Sequence, residues 1–407
     1  MIKAEVLLRF HETPGIETLD IYRRFGGYEA LAKAGRMSRE DLLALIEASG
    51  LRGRGGAGFP AGVKLRAMAQ QPETPHYFIC NIAEGEPGSF KDRALLRNPH
   101  QVLEATAIAA HAAGAEKAFI YLRGSYREEE RLLRQAFVKA TAAGLLGQHS
   151  PLPIEIVIHR GEDSYIAGEE TALIESLEGK PAIPRSKPPR PYERGLFDMP
   201  TLVHNVETIC NMIPIVLYGV DAFRGCGTAE SPGTKLFCLS GQIARPGLYE
   251  LPLGVRLSAL LQECGGGPLP GRRLVAVFPG GPSTPAVPVE RDPEMSYEGL
   301  ERAGSRLGTG GVVVVDDSTI IPNLAVEVSS FFARESCGAC PPCTIGTSEV
   351  HKLLQQIAAD PAAARQNILK IREFCEMMKP RGSCAHGRSA AFTVQSLLEG
   401  FPDAFSS

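Results

Sequence analysis

Tryptophan is absent from the 407 residues, and aromatic side chains of any kind make up only 7% of them. No apolar run approaches the ~18 residues that a membrane-spanning helix needs. Charge of one sign is also missing: 43 Lys and Arg stand against 46 Asp and Glu, a net charge of −3. Without a basic excess, nucleic-acid binding by the chain as a whole lacks its electrostatic footprint. The first ten residues contain Lys3, Glu5 and Arg9. No secretory apolar segment fits there, so the chain is expected in the cytoplasm, with any membrane association only indirect, through a complex. Tandem repeats and low-complexity tracts are lacking too.

What the chain has is an ordinary globular composition, 44% hydrophobic and 22% charged, spread over a length of two to four domains. Ten cysteines in a cytoplasmic protein point to metal rather than to a disulfide framework. The 43 glycines and 31 prolines imply many loops, with backbone brought close to ligands.

Residues 1–50 read as a helical lead-in. Ser38 is placed as an N-cap with Asp41 at the capping-box position, and Gly50 ends the helix. Strands are expected at Tyr77–Cys80, Ala118–Leu122 and Ile154–His159, alternating with helices at His100–Ala118 and Arg127–Ala143. That alternation argues for a mostly parallel α/β sheet over about residues 51–230. Lys180–Pro200 is Pro-rich, basic and aperiodic, and reads as an extended loop. The domain division expected is 1–50 lead-in, 51–232 α/β domain, 233–321 small α+β module and 322–407 helix bundle. The small module has short strands around one helix, Val255–Cys264. The bundle helices fall at 324–334, 344–359, 362–378 and 388–399.

Cys337, Cys340 and Cys343 form a C-x2-C-x2-C run. Three thiolates this close converge on one centre that a distant cysteine completes, a pattern more typical of [4Fe–4S] than of zinc, which stays the plain alternative. Two cysteines downstream compete for the fourth place. Cys375 keeps the core spacing of Ile368, Ile371 and Met378. Cys384 sits in the turn Gly382–Gly387, which can present backbone N–H groups to sulfur, and is preferred. Gly53, Gly55 and Gly58 satisfy G-x-G-x-x-G, but a helix precedes them and not a strand, so a conventional dinucleotide motif does not start here. The glycines still let backbone approach a flat ring or phosphate, beside Arg52, Arg54, Phe59 and Lys64. Two acidic loops, around Asn81–Gly88 and Asp163–Thr171, follow strands at the end where α/β folds bind ligands.

Six segments carry a resemblance: RGRGGAGFPAG (52–62), NIAEGEPGSFKDR (81–93), YIAGEETALIESLEGKP (165–181), PTLVHNVET (200–208), ESCGACPPCTIG (335–346) and GSCAHG (382–387). In this order they resemble the NADH-binding flavoprotein subunit of respiratory complex I, a family that also serves NAD-dependent hydrogenases and formate dehydrogenases. The resemblance implies a Rossmann-like FMN domain, a ubiquitin-like module of the SLBB type and a helix bundle holding a [4Fe–4S] cluster. Carried over by position, FMN would be held by Gly53, Gly55, Lys64, Asn81, Tyr165, Gly168, Glu169, Glu170, His204, Asn205 and Thr208. NADH would touch Phe59, Lys64, Glu86, Glu170 and Lys187, with Glu86 and Glu170 in catalytic positions. The cluster ligands would be Cys337, Cys340, Cys343 and Cys384. The sequence departs from the family pattern at four places. Ala83 stands where Asp is usual, and His204 where Asn is frequent; a charge on His204 would raise the flavin potential. Ala67 and Arg190 stand where relatives commonly have aromatics.

The function so implied is electron input: NADH oxidised through FMN, with single electrons passed to the cluster. The alternatives are a diaphorase subunit that reduces NAD+ for a hydrogenase or formate dehydrogenase, and a non-catalytic scaffold bearing one cluster. Some relatives carry a thioredoxin-like [2Fe–2S] domain or a ferredoxin extension, neither of which is found in these residues. A small separate [2Fe–2S] subunit and a larger iron–sulfur subunit are therefore the expected partners. A nucleic-acid partner is not expected, because the 180–194 loop has only Tyr192 for base stacking.

Overall fold

The structure, a computed structural model, describes residues 5–380 and 382–405. Its first part runs α1 (Leu19–Arg24), α2 (Glu29–Ala34), α3 (Arg39–Ser49), α4 (Ala61–Ala69), β1 (Tyr77–Ile82), α5 (Lys91–Leu95) and α6 (Pro99–Ala113). It continues through β2 (Lys117–Leu122), α7 (Arg127–Ala142), β3 (Glu155–Arg160), α8 (Glu170–Leu177), β4 (Thr201–Asn205), α9 (Val206–Cys210) and α10 (Met212–Arg224). The cap expected at α3 is present: Ser38 Oγ accepts from the Asp41 N–H at 3.1 Å, and Gly50 closes the helix in the left-handed region at φ 67°. The helix expected up to Ala118 ends earlier, because Gly114 turns left-handed at φ 70° and β2 begins three residues later. Rather than standing apart, α1 to α3 contribute Tyr22, Leu31, Leu42 and Ile46 to the core that α6 and α10 also build.

The four strands are all parallel, in the order β3-β2-β1-β4. Sequence periodicity found three of them; β4 lay hidden in the PTLVHNVET segment. Chain order reverses between β1 and β4, and an open α/β sheet binds ligands beyond the carboxyl ends of its strands at such a switch point. Asn81 on β1 and Asn205 on β4 are paired in register at that end.

A mixed five-stranded sheet follows, with β5 (Thr234–Gly241), β6 (Gly247–Pro252), β7 (Leu274–Phe278), β8 (Val287–Pro288) and β9 (Gly311–Asp316) in the order β6-β5-β9-β7-β8. Only β5 and β9 run parallel. The helix expected at Val255–Cys264 is α11 (Leu257–Ala259) running into one π turn through Cys264. A second helix, α12 (Tyr297–Arg302), was not expected. The chain ends in four helices, α13 (Ile321–Arg334), α14 (Pro341–Ala359), α15 (Ala364–Met378) and α16 (His386–Gly400), close to the expected spans. They share a core that includes Ile371, Cys375 and Met378. Lys180–Pro200 is irregular apart from one 3-10 turn at Leu196–Asp198, as its composition predicts.

Candidate functional site

A cavity of about 220 Å³, open to solvent, lies at the β1/β4 switch point, the place where α/β sheets bind ligands. Of the residues expected to hold flavin or nucleotide, Gly55, Asn81, Glu86, Tyr165, Gly168, Glu169 and Asn205 line it. Two glycines are required by close approach: a Cβ on Gly55 would stand 2.8 Å from the Asn205 Cβ, and one on Gly168 would stand 2.8 Å from the Ala83 carbonyl oxygen. Side chains at either place would also narrow the cradle, so these positions fit a flat ligand packed against backbone.

Asn81 Nδ2 donates to the Gly168 carbonyl at 2.9 Å, and its Oδ1 accepts the Ala83 N–H at 2.9 Å. This braces β1 against the loop after β3. Asn205 is held at all four valences: Oδ1 accepts from Lys91 Nζ and the Glu207 N–H, each at 3.1 Å, while Nδ2 donates to Asp92 Oδ2 at 2.6 Å and to the Asn81 carbonyl at 3.4 Å. Glu169 caps α8, accepting the Thr171 and Ala172 N–H groups. Glu86 accepts from Tyr165 Oη at 2.9 Å and from the Ser283 N–H at 2.8 Å. Burial pushes its carboxyl up to about 7, against those two hydrogen bonds.

The remaining expected residues surround the cavity without lining it. Gly53 fixes the loop, donating its N–H to the Phe59 carbonyl at 2.8 Å and accepting Tyr297 Oη at 2.5 Å. Thr208 is buried and accepts the Arg54 N–H at 2.8 Å. Phe59 is exposed. Glu170 joins Lys64 at 2.8 Å and Lys187 at 2.7 Å. Burial alone would raise the Glu170 carboxyl; the two lysines override it and hold it down at about 2. His204 lies on β4, buried, and burial with the nearby Lys64 cation lowers its imidazole to about 3. The charge that the sequence allowed it therefore does not develop near neutral pH. Ala67 is half-buried on α4 and Arg190 is exposed in the Pro-rich loop.

Glu84, in the acidic loop after β1, also lines the cavity, and so do Lys91, Asp92 and His386, to which the sequence reading gave no role. In the fold Lys91 and Asp92 are buried and paired at 2.5 Å.

A second, smaller cavity gathers Cys337, Cys340, Cys343 and Cys384 with Ile166 and Gly387. Cys375 is buried in the bundle core, away from it. Backbone N–H groups aim at the sulfurs: Ser383 at Cys340 Sγ (3.4 Å), His386 at Cys384 and Gly387 at Cys343. A Cβ on Gly387 would stand 3.1 Å from the Cys343 Cβ and 3.3 Å from its Sγ, a tight fit that glycine relieves at the first turn of α16. Four thiols with amide donors around them fit an iron–sulfur cluster, whose potential such hydrogen bonds tune. Ile166, Cys384 and His386 line both cavities, so one layer of side chains divides them.

Comparison with known proteins agrees with this geometry. Residues 46–214 match the family described as the Nuo51 FMN-binding domain, 236–287 the SLBB domain, and 323–407 the NADH-ubiquinone oxidoreductase-F iron-sulfur binding region. The chain is 45% identical over 402 residues to the F 2 subunit of NADH-quinone oxidoreductase from Rhizobium meliloti, covering 97% of this chain and 95% of that protein. It is 42% identical to the NADH-quinone oxidoreductase F subunit of Streptomyces coelicolor, covering 99% and 90%. Among solved structures, a chain of an NAD+-reducing [NiFe]-hydrogenase in the air-oxidized state superposes with a TM-score of 0.85 at 35% identity. That match covers 99% of this chain but 66% of the hydrogenase chain.

Three substitutions test the site. Cys384→Ser is expected to abolish or strongly alter the iron–sulfur EPR signal, while Cys375→Ser leaves it intact; the reverse pattern would exchange the fourth ligand. Glu170→Gln leaves Lys64 without its carboxylate and Lys187 with Glu169 alone, and should raise the midpoint potential of bound FMN. An effect of ~1.4 kcal/mol reads as ~30 mV for the two-electron couple, and a redox titration showing no change or a fall would contradict it.

The matched domains follow one another along nearly the whole chain, and the two cavities are built from the residues of those matches: the chain belongs to the family of NADH-quinone oxidoreductase F subunits.

Proposed function

We propose that this chain is the electron-input subunit of an NADH:quinone oxidoreductase. The observation that carries this reading is the wall of Ile166, Cys384 and His386 shared by the switch-point cavity and a four-thiol cavity. FMN, when bound, supplies the chemistry that takes a hydride from NADH and releases its electrons singly. The chain's own residues bind and orient. Gly55 clears space for the ring, Gly53 fixes the glycine loop, Asn81 and Asn205 fix the strand ends, and Glu169 holds α8 in place. Phe59 offers an exposed apolar face for the adenine, Lys64 and Lys187 offer cations near it, and Cys337, Cys340, Cys343 and Cys384 hold the cluster. Labour divides as 51–232 for flavin and nucleotide, 233–321 for the SLBB module and 322–407 for the cluster, with 1–50 as lead-in. The partners are a small thioredoxin-like [2Fe–2S] subunit and a larger iron–sulfur subunit, at the cytoplasmic face of a membrane. Among the described residues no helix is long and apolar enough to cross that membrane itself.

A second reading, a diaphorase subunit working in the NAD+-reducing direction, draws on the hydrogenase chain that superposes on this one. Protein purified under anaerobic conditions separates both readings from a cluster-bearing scaffold: FMN and [4Fe–4S] together, with NADH-dependent reduction of an artificial acceptor, support electron transfer. Fully cluster-loaded protein without FMN would sink it.

Nucleotide choice follows from Glu86 and Arg190. A carboxylate near the ribose hydroxyls repels a 2′-phosphate, so NADH is expected to give the higher kcat/KM. Binding should be weaker than in relatives with aromatics at positions 67 and 190. If NADPH is preferred, and Arg190→Phe removes that preference, Arg190 is reading the phosphate.

The Glu86 carboxyl also predicts a pH dependence. Below about 7 it holds its proton; above, its negative charge faces the anionic dinucleotide. KM for NADH should therefore rise several-fold as pH passes upward through 7, and Glu86→Gln should flatten that profile. A profile in the variant as steep as in the wild type would exclude Glu86 as its source.

A further inference from the structure

One carboxylate oxygen ties the SLBB sheet to the flavin cavity. Glu207, in α9, is fully buried; its Oε2 lies 2.5 Å from Lys235 Nζ of β5 and 3.1 Å from Lys91 Nζ. Its Oε1 accepts the Leu236 N–H at 2.8 Å. Lys91 in turn reaches Asp92 and Asn205 at the cavity wall. Both lysines are themselves fully buried.

Desolvated charges interact over a low effective dielectric, so a charge at Lys235 is felt beyond its immediate partner. With Arg54, also buried, three cations gather with three carboxyl groups, Asp92, Glu207 and Glu84, the last pushed up to about 7 by burial and by Asp92. A cation held at Lys235 favours any negative charge gained in the cavity on reduction. We propose that Lys235 is a positioning residue for the flavin cavity: bridged to Lys91 through a single oxygen of Glu207, it fixes the charge that Lys91, Asp92 and Asn205 present to the flavin. The proposal rests on the flavin reading of that cavity.

Burial draws the Lys235 ammonium down to about 8; Glu207 resists this, and Lys91 and Arg54 add to it. The charged and titratable neighbours are Glu207 and Lys91 on their helices, Arg54 in the glycine loop, Cys238 on the same strand, and Tyr297 beside Arg54 and Glu207. Glu84 and Glu86 also titrate near 7 at the cavity. They are present in wild type and variants alike and cancel in a comparison between them.

The experiment is a spectroscopic redox titration of bound FMN between pH 6 and pH 10 in the purified wild type, Lys235→Met and Lys235→Arg. Below pH 8 the wild type carries the extra charge. Lys235→Met should there show a more negative midpoint, and its curve should merge with the wild type above pH 8. Lys235→Arg keeps its charge throughout, so it should track the wild type below pH 8 and lie above it beyond. The cluster EPR signal should be unchanged in all three. Offsets that do not change with pH, or no offset, would overturn the proposal. If Lys235→Met fails to fold, the wild type and Lys235→Arg decide by the same criterion. Wild-type protein without FMN would instead defeat the flavin reading.

Discussion

Buried glutamates gripping distant backbone hold this chain together. Glu104 accepts the N–H groups of Tyr28 and Leu31 at 2.9 and 3.0 Å and pins α2 to α6. Glu207 accepts from Leu236 and Glu250 from Leu7, and the half-buried Glu335 accepts from Tyr165. Glu86 takes Ser283. A carboxylate taken out of water is costly unless donors replace its hydration. Each of these has found donors on a segment far away in sequence. The parallel sheet, the SLBB sheet and the helix bundle are thus sewn to one another by hydrogen bonds to carboxyl groups rather than by apolar contact alone.

The flavin cavity is a product of that stitching. Tyr165 donates its hydroxyl to Glu86, its backbone N–H is held by Glu335, and its ring packs edge-on against Phe331 at 5.0 Å. A loop after β3, a loop after β1 and a bundle helix thereby meet at one side chain. His386 packs 5.6 Å from the same ring and starts the helix whose first amides face the thiols. Geometry at the flavin and geometry at the cluster are consequently not independent.

Much of this was legible in the sequence where the signal is local. The cysteine spacing and the glycines around Cys384 place four thiols together, and Cys375 was recognisable as core because it keeps helical spacing with Ile371 and Met378. Alternating strands and helices announced the parallel sheet. What stayed hidden depends on partners far apart in the chain. Lys235 opens an apolar strand, and only the fold sets it against Glu207. Lys91 and Asp92 received no role because nothing local in the sequence shows that both will be buried. His204 could be given a charge from its chemistry, and only its burial on β4 removes it.

A bond between a glutamate and a backbone amide is encoded on one side only. The amide donor survives almost any replacement of its own residue, proline excepted, so these bonds do not read the side chains of Ser283, Leu236, Leu31 and Leu7. The carboxyl group has no such freedom. The three leucines are held in place by the core they fill, and Ser283 by neither constraint. The positions at which the seam itself is encoded shrink to a short set of glutamates.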